Sequence, residues 1–346
     1  MNAQLILENG KRFSGKMFGA VKEVVGEVVF TTGMIGYQET LTDPSFAGQI
    51  VAMTFPLIGN YGINFEDMEA ERVNLAAFIV REKCDYPSNF RNEMTLDAFL
   101  NQQGIVGLYG IDTRALTKTI RDAGCMKGVI MKGNPTDEQV KKLMDSLDNS
   151  KVVKDTTIKE KYVINEGAQE KCAYLHLGSK DSFLKILEEK GIEVNVYPAF
   201  TKAEEILSQN PDFVYISNGA GNPKDLSSIV DEIKKLIGKV PVFGMSLGHQ
   251  LSALALGADT KKLKFGHHGS NQPVKCIDCG KVFVTAQNHN FVVSDLPSTC
   301  KMSYVNVNDN TCEGFFDKKN KVFGIQFTPD TTDLQAMLDS FLKEVR

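Results

Sequence analysis

Between Cys172 and Gly257 the apolar positions switch repeatedly between two periods. "CAYLHL", "IEVNVYPAF", "DFVYIS" and "VPVFGM" are short, nearly continuous apolar runs rich in Val, Ile, Tyr and Phe, the pattern of strands buried on both faces. Each is followed by a stretch with apolar residues three and four apart: "DSFLKILEEKG", "KAEEILSQ", "LSSIVDEIKKLIG" and "HQLSALALG". Four strand-then-helix repeats predict right-handed crossovers and a mostly parallel sheet covered on both sides, with functional residues at the strand C-terminal ends. After Gly257 the spacing becomes hairpin-like in "PVKCIDCGKVFVTAQNHNFVV" and "CEGFFDKKNKVFGIQF", and "DLQAMLDSFLKEV" predicts a closing amphipathic helix.

The first half is patterned differently. "QLILENGKRFSG", "EVVGEVVFTTG" and "GQIVAMTFP" predict short strands joined by Gly-rich turns, and "LTKTIRDAG" and "DEQVKKLMDSL" predict helices around them. The expected fold class is therefore α/β: an open, mostly parallel C-terminal sheet with helices on both faces, preceded by a mixed, β-rich α/β domain. The expected division is a domain over 1–150, a polar aperiodic linker over 151–171 and a second domain over 172–346.

Composition narrows the function classes. A formal charge of −4 without long runs of one sign gives no electrostatic reason to expect nucleic acid or an anionic membrane as partner. "MNAQLILENGKRF" has only a three-residue apolar stretch before Glu8, so no secretory signal is expected, and no apolar run approaches membrane-spanning length. Seven thinly spread cysteines fit reduced thiols in a cytoplasmic protein better than a disulfide framework.

The chemistry concentrates in three loops. "FGMSLGHQ" carries Gly244, Ser246 and Gly248 as Gly-x-Ser-x-Gly between a strand and a helix, which predicts a nucleophile elbow with Ser246 at its tip. "ISNGAGNP" ends the preceding strand with glycines whose N–H groups could face an oxyanion. "AQNHNF" offers Asn288, His289 and Asn290 after a later strand.

These stretches, with "GEVVFTTGMIGYQETLTDPSFAGQIV", "FPLIGNYGIN", "GIDTRALTKTIRDAG" and "KFGHHGSNQPV", resemble the small subunit of carbamoyl-phosphate synthetase, whose C-terminal domain is a class I glutamine amidotransferase. The resemblance covers nearly the whole chain. It implies a subunit that hydrolyses glutamine and passes the ammonia to a large subunit, where bicarbonate and ATP give carbamoyl phosphate, a precursor of pyrimidines and arginine. It also implies no cofactor or metal in this chain, ATP and metal belonging to the large subunit, and L-glutamine as a ligand. By motif match the glutamine-contacting positions are Ser45, Gly219, Gly221, Leu247, Gln250, Asn288, Asn290 and Phe291.

All three triad positions depart from the family pattern. The family has a cysteine at the elbow, with a histidine and a glutamate in a terminal "QxHPE". Here the elbow holds Ser246, and "IQFTPD" places Thr328 at the histidine position and Asp330 at the glutamate position. A serine hydroxyl lacks the acidity of a thiol and needs a general base, which Thr328 does not supply at neutral pH. Asn290 stands where the family has Gly, and Ala220 and Asn222 stand where it has Pro and Asp. The expectation is a subunit whose glutaminase is lost or severely impaired. The alternatives are a regulatory or glutamine-sensing pseudoenzyme and, from a different class, a serine hydrolase with Ser246, Asp278 and His289. Cys276, Cys279, Cys300 and Cys312 raise a zinc reading, and His267 and His268 a metal-like one. Unliganded side chains are the expectation for both, and His249 is expected to support the elbow.

Overall fold

The computed structural model describes residues 1–345 and forms two compact units. One comprises Met1–Asn149 together with Lys264–Gly269, the other Ser150–Leu263 together with Ser270–Arg346.

In chain order the first unit holds β1 (Asn2–Leu7), β2 (Arg12–Gly19), β3 (Val24–Thr31), α1 (Tyr37–Thr42), β4 (Gln49–Met53), β5 (Leu57–Ile58), β6 (Ala77–Ile79), β7 (Glu82–Lys83), α2 (Leu96–Gln102), β8 (Val106–Tyr109), α3 (Thr113–Ala123), β9 (Met126–Lys132) and α4 (Asp137–Asp145). Seven of these strands close into a barrel in the order β1-β2-β8-β6-β4-β3-β9, leaving no free edge in that ring. Residues alternate along β4 between two apolar clusters: Ile50 and Ala52 pack with Leu5, Leu108 and Leu116, whereas Val51 and Met53 pack with Phe78, Phe99 and Leu41. Side chains fix the helix starts, since Thr95 accepts from the Ala98 N–H and Thr136 with Gln139 forms a capping box on α4. The segment Lys264–Gly269 is hydrogen-bonded into this unit, with the Cys125 N–H donating to the Lys264 carbonyl at 2.7 Å and the Thr32 N–H to the His268 carbonyl at 3.3 Å.

The second unit contains α5 (Val152–Thr156), β10 (Tyr162–Ile164), β11 (Lys171–Leu177), α6 (Asp181–Glu189), β12 (Glu193–Pro198), α7 (Ala203–Ser208), β13 (Phe213–Gly219), α8 (Ser227–Leu236), β14 (Val242–Met245), α9 (Leu247–Ala255), β15 (Asp259–Cys276), β16 (Val282–Ser294), β17 (Lys301–Asn306), β18 (Cys312–Asp317), β19 (Val322–Ile325) and α10 (Thr331–Val345). Its ten-stranded sheet runs β10-β12-β11-β13-β14-β19-β18-β16-β15-β17. The strands β12, β11, β13 and β14 are parallel, as the strand–helix repeats predict, and β19, from the expected hairpin with β18, extends them by pairing parallel with β14. One face packs on α7, α8 and α9, the other on α6 and α10. On the latter face Tyr174, Tyr215, Phe243 and Phe323 are in register on neighbouring strands, with successive ring centroids 5.0, 5.2 and 5.3 Å apart. Aromatic pairs at this spacing add to the area they bury.

The stretch 151–171, expected as a linker, carries α5 and β10. β10 pairs antiparallel with β12 as an edge strand: Tyr162, Val163 and Ile164 are a short β-prone triplet inside the polar stretch, and they complete a ladder at the sheet edge. Among the described residues no helix is long and apolar enough to cross a membrane.

Candidate functional site

The elbow is built by two close backbone approaches. β14 ends at Met245, and α9 begins at Leu247. Between them Ser246 has φ 52° and ψ −109°, a conformation that L-residues rarely adopt and that costs about 1–3 kcal/mol. A β-carbon on Gly244 would lie 2.6 Å from the Gly248 carbonyl oxygen, and one on Gly248 would lie 2.1 Å from the Ile216 carbonyl oxygen on β13. Only glycine lets the turn close and the helix settle against the sheet. The Ser246 N–H donates to the Ile325 carbonyl at 2.8 Å, and its carbonyl accepts from the Gln250 N–H at 3.1 Å. Leu247 is buried against Gly219, where a β-carbon would come 2.9 Å from the leucine Cδ2 and 2.4 Å from the Leu177 carbonyl. The elbow and the β13 loop of Gly219, Ala220 and Gly221 are thus adjacent at the C-terminal ends of parallel strands, where the sequence places them. Gly221 itself has φ 109°, and Asn222 caps the next turn by accepting from the Lys224 N–H at 3.1 Å.

The partners a nucleophile needs are not assembled around Ser246. Among the described residues no side chain hydrogen-bonds its hydroxyl. Thr328 is held by its backbone in a bridge to Ala286, donating from N–H at 2.8 Å and accepting at 3.3 Å. Asp330 is exposed, and its carboxylate accepts from the Asp333 N–H at 2.8 Å while its carbonyl accepts from the Leu334 N–H at 2.9 Å. These are the bonds of an N-cap for α10, a structural use of the carboxylate.

The serine-hydrolase arrangement is not formed either. His289 is buried with Nδ1 at 2.9 Å from the Phe291 carbonyl and Nε2 at 2.8 Å from Gln287 Oε1, so both ring nitrogens are engaged along its own strand. Asp278 lies in the β15–β16 turn in a 2.6 Å ion pair with Lys301. His249 is fully buried against Phe315, with ring centroids 5.1 Å apart, and a β-carbon on Gly324 would lie 2.6 Å from its Nδ1. Burial pushes its pKa down to about 3, which keeps the ring neutral in its expected supporting place.

The substrate-contact positions are distributed as follows. Gln250 is buried and donates from Nε2 to both the Phe291 carbonyl, at 2.8 Å, and Gln326 Oε1, at 2.9 Å. Asn290 is buried, and Asn288 and Phe291 are half-buried on the same strand. Ser45 belongs to the N-terminal unit, where its N–H and hydroxyl donate to Asp43 Oδ1 at 2.9 and 2.6 Å. His268 lies against Phe46 in that unit, with ring centroids 6.2 Å apart. Of the four cysteines considered for zinc, Cys276 and Cys279 adjoin each other at a turn, while Cys312 is buried on β18. All seven cysteines are free thiols.

Sequence reasoning missed a hydrogen-bonded file along β16. Thr285 donates to the Gln272 carbonyl at 2.9 Å, Gln287 Nε2 donates to Thr285 Oγ1 at 3.2 Å, and Gln287 meets His289, whose other nitrogen meets the carbonyl that Gln250 also bonds. Polar residues at 285, 287 and 289 fall on one face of a strand, so their period of two was the available signal.

A family profile described as carbamoyl-phosphate synthase small chain, CPSase domain, matches residues 5–130, and one described as glutamine amidotransferase class-I matches residues 175–344. The chain is 50% identical over 347 residues to the carbamoyl phosphate synthase small chain of Clostridium perfringens (strain 13 / Type A), covering 99% of each chain. It is 42% identical over 354 residues to the carbamoyl phosphate synthase pyrimidine-specific small chain of Bacillus subtilis (strain 168), covering 100% of this chain and 96% of that one. Among solved structures, a glutamine amidotransferase from Thermotoga maritima aligns with a TM-score of 0.40 and 19% identity over 51% of this chain and 85% of that one. With both halves matched and full-length identity at this level, the chain belongs to the carbamoyl-phosphate synthase small-chain family and carries a class I glutamine amidotransferase domain in its C-terminal half.

Proposed function

We propose that this small chain has lost its own glutaminase and completes a carbamoyl-phosphate synthase that draws on free ammonia. The observation that carries the reading is the Ser246 hydroxyl, which no base hydrogen-bonds among the described residues. Thr328 offers only a non-basic hydroxyl, and Asp330 is committed to the α10 cap. An alcohol with a pKa far above that of a thiol does not ionise on a helix N-terminus alone, so loss of the base removes the chemical step. Backbone donors at the Gly219 loop would leave about 10³-fold acceleration over water from binding and oxyanion stabilisation. Asn290, buried near the Phe291 carbonyl, puts a side chain where the family keeps none and works against glutamine binding as well.

The partner in this reading is a synthase large chain, which would hold the ATP and metal, in a cytoplasmic complex. Support comes from the small-chain name of the relatives and from the N-terminal domain match, which glutamine hydrolysis alone does not require. Docking rests on surface complementarity over an area of about 1,000 Å² or more, which substitutions in a buried elbow leave intact.

The test has two arms. The purified chain, given glutamine at neutral pH, is expected to release ammonia at background rate, Ser246→Cys alone is expected to stay near background, and the combination of Ser246→Cys, Thr328→His and Asp330→Glu to rise above both. Brisk hydrolysis by the natural chain overturns the loss of activity. Mixed with its cognate large chain at micromolar concentration, it is expected to co-elute on size exclusion and sustain ammonia-driven synthesis. Failure to form a complex leaves an orphan or glutamine-sensing role in its place.

A further inference from the structure

β15 ends at Cys276, and Cys279 follows three residues later in the turn to β16. The Cys276 N–H donates to the Lys281 carbonyl at 2.9 Å, and the Gly280 N–H, from a residue with φ 70°, donates to the Cys276 carbonyl at 3.0 Å. Inside this turn the Cys279 N–H points at the Cys276 sulfur, 3.3 Å away. A turn holds its first and fourth Cα atoms within about 7 Å, and a disulfide spans about 4.4–6.8 Å between Cα atoms, so a bridge forms with little backbone movement.

The two thiols are unequal. Cys279 is exposed, and the hydrogen bond from Cys276, helped by the Lys281 N–H and charge, holds it below the usual thiol range. Cys276 is half-buried, and burial pushes it up. This asymmetry separates an attacking thiol from a resolving one. Beside the turn lies a cavity of about 650 Å³, walled by Cys276, Phe283, Tyr304, Phe316 and Met337, with the Asp278–Lys301 ion pair at its lining. It has room for the organic group of a mixed disulfide next to the resolving sulfur.

We propose that Cys276 and Cys279 form a redox-active dithiol that exchanges with low-molecular-weight disulfides. The Cys279 thiolate attacks one sulfur of RSSR, breaking its S–S bond, releasing RS⁻ and leaving a Cys279–S–S–R mixed disulfide. Cys276, on losing its proton, attacks the Cys279 sulfur and expels the second RS⁻. Both leaving thiolates take up the protons the two cysteines gave, so the chain is oxidised by two electrons and RSSR is reduced to two RSH. This site is independent of Ser246.

The full chain, reduced and equilibrated with oxidised glutathione at neutral pH, then quenched by alkylation, is expected to lose two of its seven thiols and to yield a peptide cross-linked between Cys276 and Cys279. Cys276→Ser is expected to stop at the Cys279 mixed disulfide, and Cys279→Ser to form neither product. Retention of all seven thiols under excess oxidised glutathione, or a cross-link between another pair, overturns the proposal. If either variant fails to fold, the order of alkylation in the natural chain decides: Cys279 reacting ahead of Cys84, Cys125 and Cys300 supports the site, and equal rates overturn it.

Discussion

The elbow and the segment from Gln326 to Asp330 follow neighbouring parallel strands of one sheet, β14 and β19, yet they are held in contrasting ways. In the elbow the backbone geometry of a nucleophile persists, with Ser246 at positive φ and Gly244 and Gly248 in contacts that exclude any β-carbon. In the terminal segment no residue from Gln326 to Asp330 has a positive φ, the Thr328 backbone bridges to Ala286 and the Asp330 carboxylate caps a helix end. A scaffold packed against its neighbours resists change because altering it costs stability, whereas exposed side chains can be substituted at little cost.

Substitutions at four positions can break or sharpen this contrast. The largest effect is expected at Gly248→Ala, whose β-carbon meets the β13 backbone: unfolding in urea should show a loss of at least about 3 kcal/mol, and a near-native midpoint would mean the elbow is not the constraint described. Ser246→Gly relieves the unfavourable φ without removing any hydrogen bond the hydroxyl makes to a described residue. It should raise stability by about 1 kcal/mol and leave glutamine hydrolysis at background, whereas a nucleophile still in use would lose activity.

Asp330→Ala should cost about 1 kcal/mol through loss of the α10 cap, and Asp330→Asn should restore most of it, since an amide oxygen caps as well as a carboxylate. If Asn fails to rescue, the charge matters and the capping account is incomplete. The smallest effect at neutral pH concerns His249. An unfolded histidine titrates near 6.5, while the buried ring titrates at about 3. Between those values the unfolded chain binds the proton and the folded chain does not, so stability declines as pH falls below 6.5. His249→Met should shift stability by less than about 1 kcal/mol at pH 8 and flatten that decline, as read from urea midpoints across pH. His176, with a pKa lowered by burial to about 4, should account for slope that remains.

Legibility followed the range of the interactions. The four strand–helix repeats were readable because each couples neighbours in sequence, and Gly-x-Ser-x-Gly was readable because its steric demand is local. Barrel closure was not, since it depends on β2 meeting β8 and β1 meeting β9, pairings between distant residues that leave no periodic mark. The role of Asp330 was available and overlooked: an acidic residue three positions before Asp333, ahead of the apolar spacing of Leu334, Met337 and Leu338, is a helix-start signal as well as a match to a motif position. Engagement of both His289 nitrogens could not be foreseen, because it turns on side-chain orientation along β16.

The six residues from Lys264 to Gly269 carry a consequence for how the chain is made. They supply carbonyls to Cys125 and Thr32 in the N-terminal unit, although the ribosome delivers them only after β10 to β14 and the elbow have emerged. The first unit therefore waits for these two contacts, made just beyond the ends of β3 and β9, through the synthesis of most of a second unit. A fragment ending at Asn149 would carry that incompleteness permanently, and no single cut in the gene separates the two units cleanly.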